Sequence, residues 1–210
     1  MKLYNFWRST AATRVRIALN LKGLNIAHEE IDLFAGAHQE PAFLALNPQA
    51  MVPALALDDG TLLTQSLAII DYLDAIAPTP LLTPTDPILK AKVQAAAYAV
   101  AIDIHPITSM AISSRVEALK PGHRMQWILD VMALRLPMVE TLLGREKGPY
   151  AFGAQVTLAD LCLVAQLYNA RDFGLDLTPY PRLREIDAAC LALPAFQTAM
   201  PRDISQPSPA

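Results

Sequence analysis

Apolar positions in the first 77 residues switch between strand-like and helix-like spacing. KLYNF (2–6) is a short β candidate. Val15, Ala18 and Leu19 then fall at i, i+3 and i+4, one face of a helix that Gly23 is placed to end. IAHEEIDL (26–33) makes a weaker, edge-like strand. ALAL (54–57) and TLL (61–63) flank Asp58-Asp59-Gly60, a hairpin whose turn residues suit positive φ. Ser66 opens LAIIDYLDAIA, a helix that Pro78 stops. The predicted order is β-α-β-loop-β-β-α, a small α/β unit.

The pattern changes at PTPLLTPTDP (78–87), where four prolines in ten residues mark an interdomain linker. Asp86-Pro87 is a helix start, an N-cap followed by proline at the first helical position. From there to about residue 193 the spacing is helical, with breaks near Lys120-Pro121-Gly122, from Gly144 to Gly153, and at LTPYP (177–181). Pro106 and Pro137 are expected to kink or end the helices they occupy. Thr157 and Asp160 have the spacing of a capping box, with aspartate in place of the usual glutamate. The expected organisation is an α/β domain over 1–78, a linker over 79–87 and an all-α domain over 88–210.

Composition narrows the function. With 53% apolar residues in 210, there is ample material for one or two cores. The net charge of −3 and the lack of a basic block argue against nucleic acid as a partner. Apolar stretches are interrupted before a membrane-spanning length, and MKLYNFWRST lacks the apolar run of a signal peptide. The two cysteines, Cys162 and Cys190, fall in helix-like segments, which suits a reduced compartment. No metal spacing joins the histidines, His28 and His123 included, and no nucleotide loop occurs.

Three short stretches could carry chemistry: Arg8-Ser9-Thr10 after the first strand, Val52-Pro53 before the third, and Gln65-Ser66 at a helix start. Each lies at a strand end or helix N-terminus, where unpartnered backbone N–H groups attract anions. A cis Pro53 would leave the Val52 peptide groups open to an extended peptide ligand. Each also has a plain structural explanation: Ser9 and Ser66 as helix caps, Pro53 as an ordinary trans proline.

Taken together, FWRST–AATRVRIALNLKG, ALNPQAMVPAL, QSLAIIDYL, VTLADLCLVAQLYNA and DLTPYP resemble a zeta-class glutathione transferase, and within it the glutathione-dependent maleylacetoacetate and maleylpyruvate isomerases. The resemblance runs over nearly the whole chain. It implies a thioredoxin-like domain followed by an α-helical domain, a cytoplasmic homodimer, glutathione as cofactor, and a small-molecule substrate from aromatic-compound or aromatic amino-acid catabolism. By this resemblance Ser9 faces the glutathione sulfur, with Thr10 as a second hydroxyl and Arg8 as a nearby cation that also pairs with a substrate carboxylate. Val52, with Pro53 cis, holds the cysteinyl part of glutathione. Gln65 and Ser66 hold the γ-glutamyl carboxylate and amine, while His38 and His105 lie toward the glycine end.

The chemistry implied is nucleophilic catalysis with a borrowed sulfur. The thiolate adds to a conjugated cis double bond, the resulting single bond rotates, and elimination returns glutathione. The alternatives are a general transferase that consumes glutathione on electrophiles such as α-halo acids, and a non-enzymatic glutathione-binding module.

Several positions depart from the family. Ala11 stands where many members carry cysteine, which excludes a covalent role for a protein thiol there. Thr108-Ser109-Met110 replaces an Asn-Asn-Arg-type run, so Ser109 is the remaining polar substrate contact. Asp172 occupies a position where relatives have arginine, and the arginine sits one residue back, at Arg171. Because one helical residue is about 100° of rotation, these changes predict weak binding of small dicarboxylates, with Arg8 and Arg171 as candidate carboxylate anchors.

Overall fold

The computed structural model describes residues 1–201. The chain forms two compact units: 1–81 together with the segment from Ala195 on, and Leu82–Pro194. We therefore place the domain boundary at Leu81–Leu82. The expected helical domain over 88–210 differs at its end, because the segment beginning at Ala195 clusters with the first unit. Phe196 and Ala199 bury their side chains there, and residues 202–210 lie outside the described region.

The first unit contains β1 (Lys2–Asn5), α1 (Thr10–Leu21), β2 (Ala27–Glu30), α2 (Pro41–Leu46), β3 (Ala54–Ala56), β4 (Leu62–Thr64) and α3 (Ser66–Ile76). The strands form one mixed sheet in the order β2-β1-β3-β4. β1 runs parallel to β2, with Leu3 opposite His28, and antiparallel to β3, with Leu3 opposite Leu55. β3 and β4 form the expected hairpin, turned at Gly60 with φ of 88°. This is the thioredoxin-like arrangement that the resemblance implied.

Alternation along β1 sends side chains to opposite faces of the sheet. Leu3 is fully buried, as are Val15 and Ala18 of α1 and Ile69, Ile70 and Leu73 of α3. Tyr4 and Phe6 instead join a second cluster with Ile31, Phe43 and Val52. Phe43 explains α2, a helix in what the pattern presented as loop. Six residues are too few to display a helical period, but Pro41 starts the turn and Phe43 anchors it edge-on to Tyr4, centroids 6.1 Å apart.

The second unit is all-helical: α4 (Pro87–Ala101), α5 (His105–Thr108), α6 (Met110–Leu119), α7 (Arg124–Leu143), α8 (Leu158–Asp172) and α9 (Pro181–Leu191). The short α10 (Pro194–Gln197) begins at its boundary. The run Pro87–Leu119 is apolar and long enough by composition to cross a membrane. It is, however, divided into α4, α5 and α6, and Val93, Ala97, Val100 and Ile104 lie in the unit's own core. Pro106 helps to open α5, whereas Pro137 sits inside α7, which continues past it to Leu143.

At the centre lies α8, whose residues from Leu158 to Leu167 are all buried. Its start carries the predicted capping box. Thr157 N and Thr157 Oγ1 donate to Asp160 Oδ2 at 2.8 and 2.9 Å, and Ala151 N donates to Asp160 Oδ1 at 2.7 Å. Burial above all, then the Asp160 and Asp187 carboxylates, drive the Cys190 thiol far above its ordinary range and so favour the protonated thiol.

Gln166 is fully buried on α8, and neither its amide oxygen nor its nitrogen has a partner among the described residues. An unpaired buried amide costs about 1–3 kcal/mol. Gln166→Met, close in volume and apolar, is therefore expected to stabilise the protein by about that amount, read as a higher urea midpoint with unchanged slope. A destabilised variant would show that the amide is satisfied by internal water.

Candidate active site

The sheet register gathers the three candidate stretches. Tyr4 lies opposite Ala54, and Ala54 opposite Thr64. The residues that follow β1, precede β3 and follow β4 therefore emerge from one end of the sheet. Ser9, Val52-Pro53 and Gln65-Ser66 occupy these places. Because β2 is parallel to β1, with Asn5 opposite Glu30, the loop carrying His38 leaves from the same end.

Ser9 is the N-cap of α1, with φ −71° and ψ 116°, and its Oγ accepts from Ala12 N at 3.2 Å. Capping and thiolate binding therefore do not compete. The cap uses an oxygen lone pair, while the hydroxyl proton remains the donor that an anion requires. Thr10 is the first helical residue and is buried, so its hydroxyl is the less accessible of the two. Arg8 precedes Ser9 on the same loop and is half-buried.

The Val52-Pro53 peptide is cis. Val52 buries its side chain in the Phe6–Phe43 cluster, and its N–H and C=O are engaged by no other described residue. An edge of this kind offers one donor and one acceptor to an extended peptide. The loop before it is shaped by Asn47, which is 1% exposed. Asn47 Nδ2 donates to Met51 O at 2.8 Å, and its Oδ1 accepts from Gln49 N at 3.1 Å. The ALNPQAMVPAL motif was legible in the sequence, but the role of this asparagine was not. Asn47→Ala is expected to weaken glutathione binding about tenfold in calorimetry, since it frees the carbonyl that fixes Val52, at a cost of about 1–2 kcal/mol. Unchanged affinity would show that Pro53 alone holds the edge.

Gln65, not Ser66, is the N-cap of α3, and Ser66 is its first helical residue. Gln65 adopts φ 68°, a left-handed conformation that costs a residue with a Cβ about 1–3 kcal/mol. Such strain concentrates where a backbone is aimed at a ligand. Its side chain is exposed and reaches Gln49 Oε1 at 3.5 Å. Ser66 is buried, and Arg14 Nη1 donates to its Oγ at 3.4 Å. Arg14, 2% exposed on α1, was missed by pattern reading, because it looks like one of several arginines on an amphipathic helix. It adds a cation beneath the α3 N-terminus, which already favours a carboxylate by about 0.3–1 kcal/mol.

His38 sits in the 3-10 turn Ala37–Gln39, and its Nδ1 is buried without a partner among the described residues. A buried orphan nitrogen, an unused Val52 edge, a helix N-terminus with a serine and a capped hydroxyl together suit a ligand that is peptide-like, carboxylated and thiol-bearing. Among the described residues no group of histidine, cysteine, aspartate or glutamate could hold a metal ion.

The other predicted residues belong to the helical unit. His105 opens α5 and is half-buried. Ser109, between α5 and α6, donates its hydroxyl to Pro106 O at 2.6 Å. Arg171 is exposed, and its guanidinium pairs with the Asp187 carboxylate on α9. That pairing is invisible in the sequence, where position 187 is one acidic residue among many. Asp172 is the exposed last residue of α8.

Comparison with known proteins agrees with this geometry. Residues 8–76 match the family model of the glutathione S-transferase N-terminal domain. The maleylacetoacetate isomerase of Rhizobium meliloti (strain 1021) is 44% identical over 95% of each chain. A holo structure of maleylpyruvate isomerase, described as a bacterial zeta-class glutathione S-transferase, superposes with a TM-score of 0.92 at 42% identity, covering all of both chains. The maleylacetoacetate isomerase of Anaeromyxobacter dehalogenans 2CP-1, solved with glutathione in its active site, gives 0.88 at 41% identity over 95% of this chain and 94% of that one. The convergence of Ser9, cis Val52-Pro53 and Ser66 at one sheet end, on a chain this similar throughout, makes the protein a member of the zeta-class glutathione transferase family that includes the maleylacetoacetate isomerases.

Proposed function

We propose that this protein is a glutathione-dependent cis–trans isomerase of an unsaturated diketo acid such as maleylacetoacetate. The observation that carries the reading is Ser9 at the α1 N-terminus, with its oxygen committed to the cap and its proton left to donate. Bound glutathione supplies a sulfur nucleophile that adds reversibly to the cis double bond and leaves once the bond has rotated.

The chain's own residues do the rest. Ser9 and the first N–H groups of α1 favour the thiolate. Val52 fixes the cysteinyl backbone, and Gln65 with Ser66 holds the γ-glutamyl end. His38 takes the glycine end, with His105 assigned to the same end by resemblance. Arg8, with Thr10 beside Ser9, provides a cation for a substrate carboxylate, and Arg171 is a second candidate for that role. Ser109 remains a substrate contact. We also assign the protein to the cytoplasm as a homodimer, in aromatic-compound or aromatic amino-acid catabolism.

Stoichiometry tests the reaction. Glutathione is expected to be unchanged after many turnovers of a cis diketo acid. Loss of one glutathione per turnover would replace the isomerase with a transferase, and folded protein that fails to bind millimolar glutathione would overturn the site. Ser66→Ala is expected to weaken glutathione binding roughly ten- to hundredfold by calorimetry, because a hydrogen bond to a charged group contributes about 1.5–3 kcal/mol. Unchanged affinity would leave Ser66 a purely structural residue.

A further inference from the structure

Arg16 lies on α1 and is not among the glutathione contacts above. A guanidinium has five N–H donors in a rigid fork, and here all five find an oxygen. Nε donates to Ala199 O at 3.0 Å. Nη1 donates to Asn5 Oδ1 at 2.6 Å and to Phe6 O at 3.2 Å. Nη2 donates to Trp7 O at 2.9 Å and to Thr13 Oγ1 at 2.7 Å. The Thr13 hydroxyl in turn donates to Ser9 O at 2.9 Å.

These acceptors are not scattered. Phe6, Trp7 and Ser9 are three of the four residues between β1 and α1, and each has its carbonyl fixed, directly or through Thr13. Glu30 completes the frame from β2. One of its carboxylate oxygens accepts from Trp7 N, and the other accepts from Asn5 Nδ2 at 2.8 Å. The C-terminal segment is tied into the same guanidinium at Ala199. That segment is held to α1 a second time by Asn20, which donates to Ala195 O and Thr198 Oγ1, each at 2.9 Å.

We propose that Arg16 is a positioning residue for the reaction. Through Thr13 and the Phe6 and Trp7 carbonyls it holds the Ser9 hydroxyl where the glutathione thiolate is stabilised. The inference rests on the reading that Ser9 faces that thiolate. Hydrogen bonds in series polarise one another, so the Arg16–Thr13–Ser9 chain stiffens the loop more than separate contacts would. Placement matters because misplacing a group by about 1 Å can cost about a hundredfold in rate. Lysine, a point charge with three donors, cannot reproduce the fork.

The test uses the full chain with glutathione bound, following the ultraviolet absorbance of the thiolate against pH together with kcat and KM. Thr13→Val removes the middle of the relay from a fully buried site with little change in shape, so it remains informative even where an Arg16 variant fails to fold. Thr13→Val and Arg16→Lys are each expected to raise the thiol titration midpoint by about half a unit to one unit and to lower kcat about three- to tenfold, with KM for glutathione nearly unchanged. Thr13→Ser, which keeps the hydroxyl, is expected to restore most of the midpoint shift. A wild-type midpoint and kcat in Thr13→Val, or equal losses in Thr13→Val and Thr13→Ser, would overturn the inference. Ser9→Ala, run beside them, separates the layers. If it shifts the midpoint while Thr13→Val does not, only the positioning role falls. If it does not shift the midpoint, the reading of Ser9 falls, and the positioning role with it.

Discussion

Ser9→Ala is expected to raise the pKa of enzyme-bound glutathione by about one to two units and to slow isomerisation at neutral pH about ten- to a hundredfold. A cysteine-like thiol titrates near 8.5, so at neutral pH only a few per cent would be thiolate without help. A hydrogen bond to a charged group contributes about 1.5–3 kcal/mol, and one pKa unit corresponds to about 1.4 kcal/mol. The helix N-terminus contributes a further 0.3–1 kcal/mol or so, which survives the substitution. The acid limb of the pH–rate profile should therefore move upward, and the deficit should shrink as pH rises past the new midpoint. Glutathione affinity should change less, since the contacts proposed for the tripeptide lie mostly at Val52, Gln65 and Ser66. Ser9 also caps α1, and losing that cap costs about 0.5–2 kcal/mol of stability. This second effect appears in the unfolding curve of the free enzyme, not in the titration of the bound thiol. Ser9→Thr keeps both the cap and the donor and should remain near wild type. An unmoved midpoint in Ser9→Ala would hand the thiolate to Thr10, despite its burial.

How much of this was legible depended on the length over which each signal repeats. α1, α3 and the 54–64 hairpin declared themselves through period and turn residues, and the capping box at Thr157–Asp160 through spacing alone. α2 did not, because six residues carry no period and its one anchor, Phe43, is meaningful only beside Tyr4. The site divided in the same way. Ser9, Val52-Pro53 and Ser66 were visible because they stand at element boundaries, where the chemistry of unpaired backbone groups is predictable. Arg14, Arg16 and Asn47 were not, since each acts on a carbonyl or hydroxyl far away in sequence or fixed only by the folded loop. Arg171 shows the converse. Its position on α8 suggested a substrate anchor, and only the approach of α9 reveals that Asp187 already holds it. The C-terminal segment is the largest such case. No break in the pattern separates it from the helical domain, which was expected to run over 88–210, yet Phe196 and Ala199 are buried in a segment that clusters with the first unit.

Lys22→Met is expected to lower stability by about 3–5 kcal/mol. Lys22 follows the last residue of α1, and its side chain is shut off from solvent. Its ammonium lies 2.8 Å from Asp74 Oδ1 and donates to Ala77 O at 2.6 Å and Pro80 O at 2.9 Å. Three donors thus meet three oxygens: the Asp74 carboxylate, the carbonyl of Ala77, which caps the C-terminal end of α3 where a helix lacks intrahelical partners, and the carbonyl of Pro80 in the segment that follows. Methionine fills the same space but leaves the Asp74 carboxylate without its ammonium and both carbonyls without this donor. Against a total stability of about 5–15 kcal/mol for a typical domain, that loss is large. It corresponds to a fall in melting temperature of roughly 6–20 °C for a chain of this size. The two parts can be separated. Adding Asp74→Leu to Lys22→Met removes the carboxylate that has lost its ammonium and should recover part of the loss, because an apolar pair can stand in for a buried ion pair. It cannot recover the bonds to Ala77 and Pro80, so the double variant should remain less stable than wild type. Urea unfolding without glutathione measures both, and leaving the ligand out keeps mass-action stabilisation from masking the difference. A double variant as stable as wild type would mean that the Ala77 and Pro80 carbonyls do not need the lysine. A single variant within about 1 kcal/mol of wild type would mean that the pair's desolvation cost already offsets its attraction.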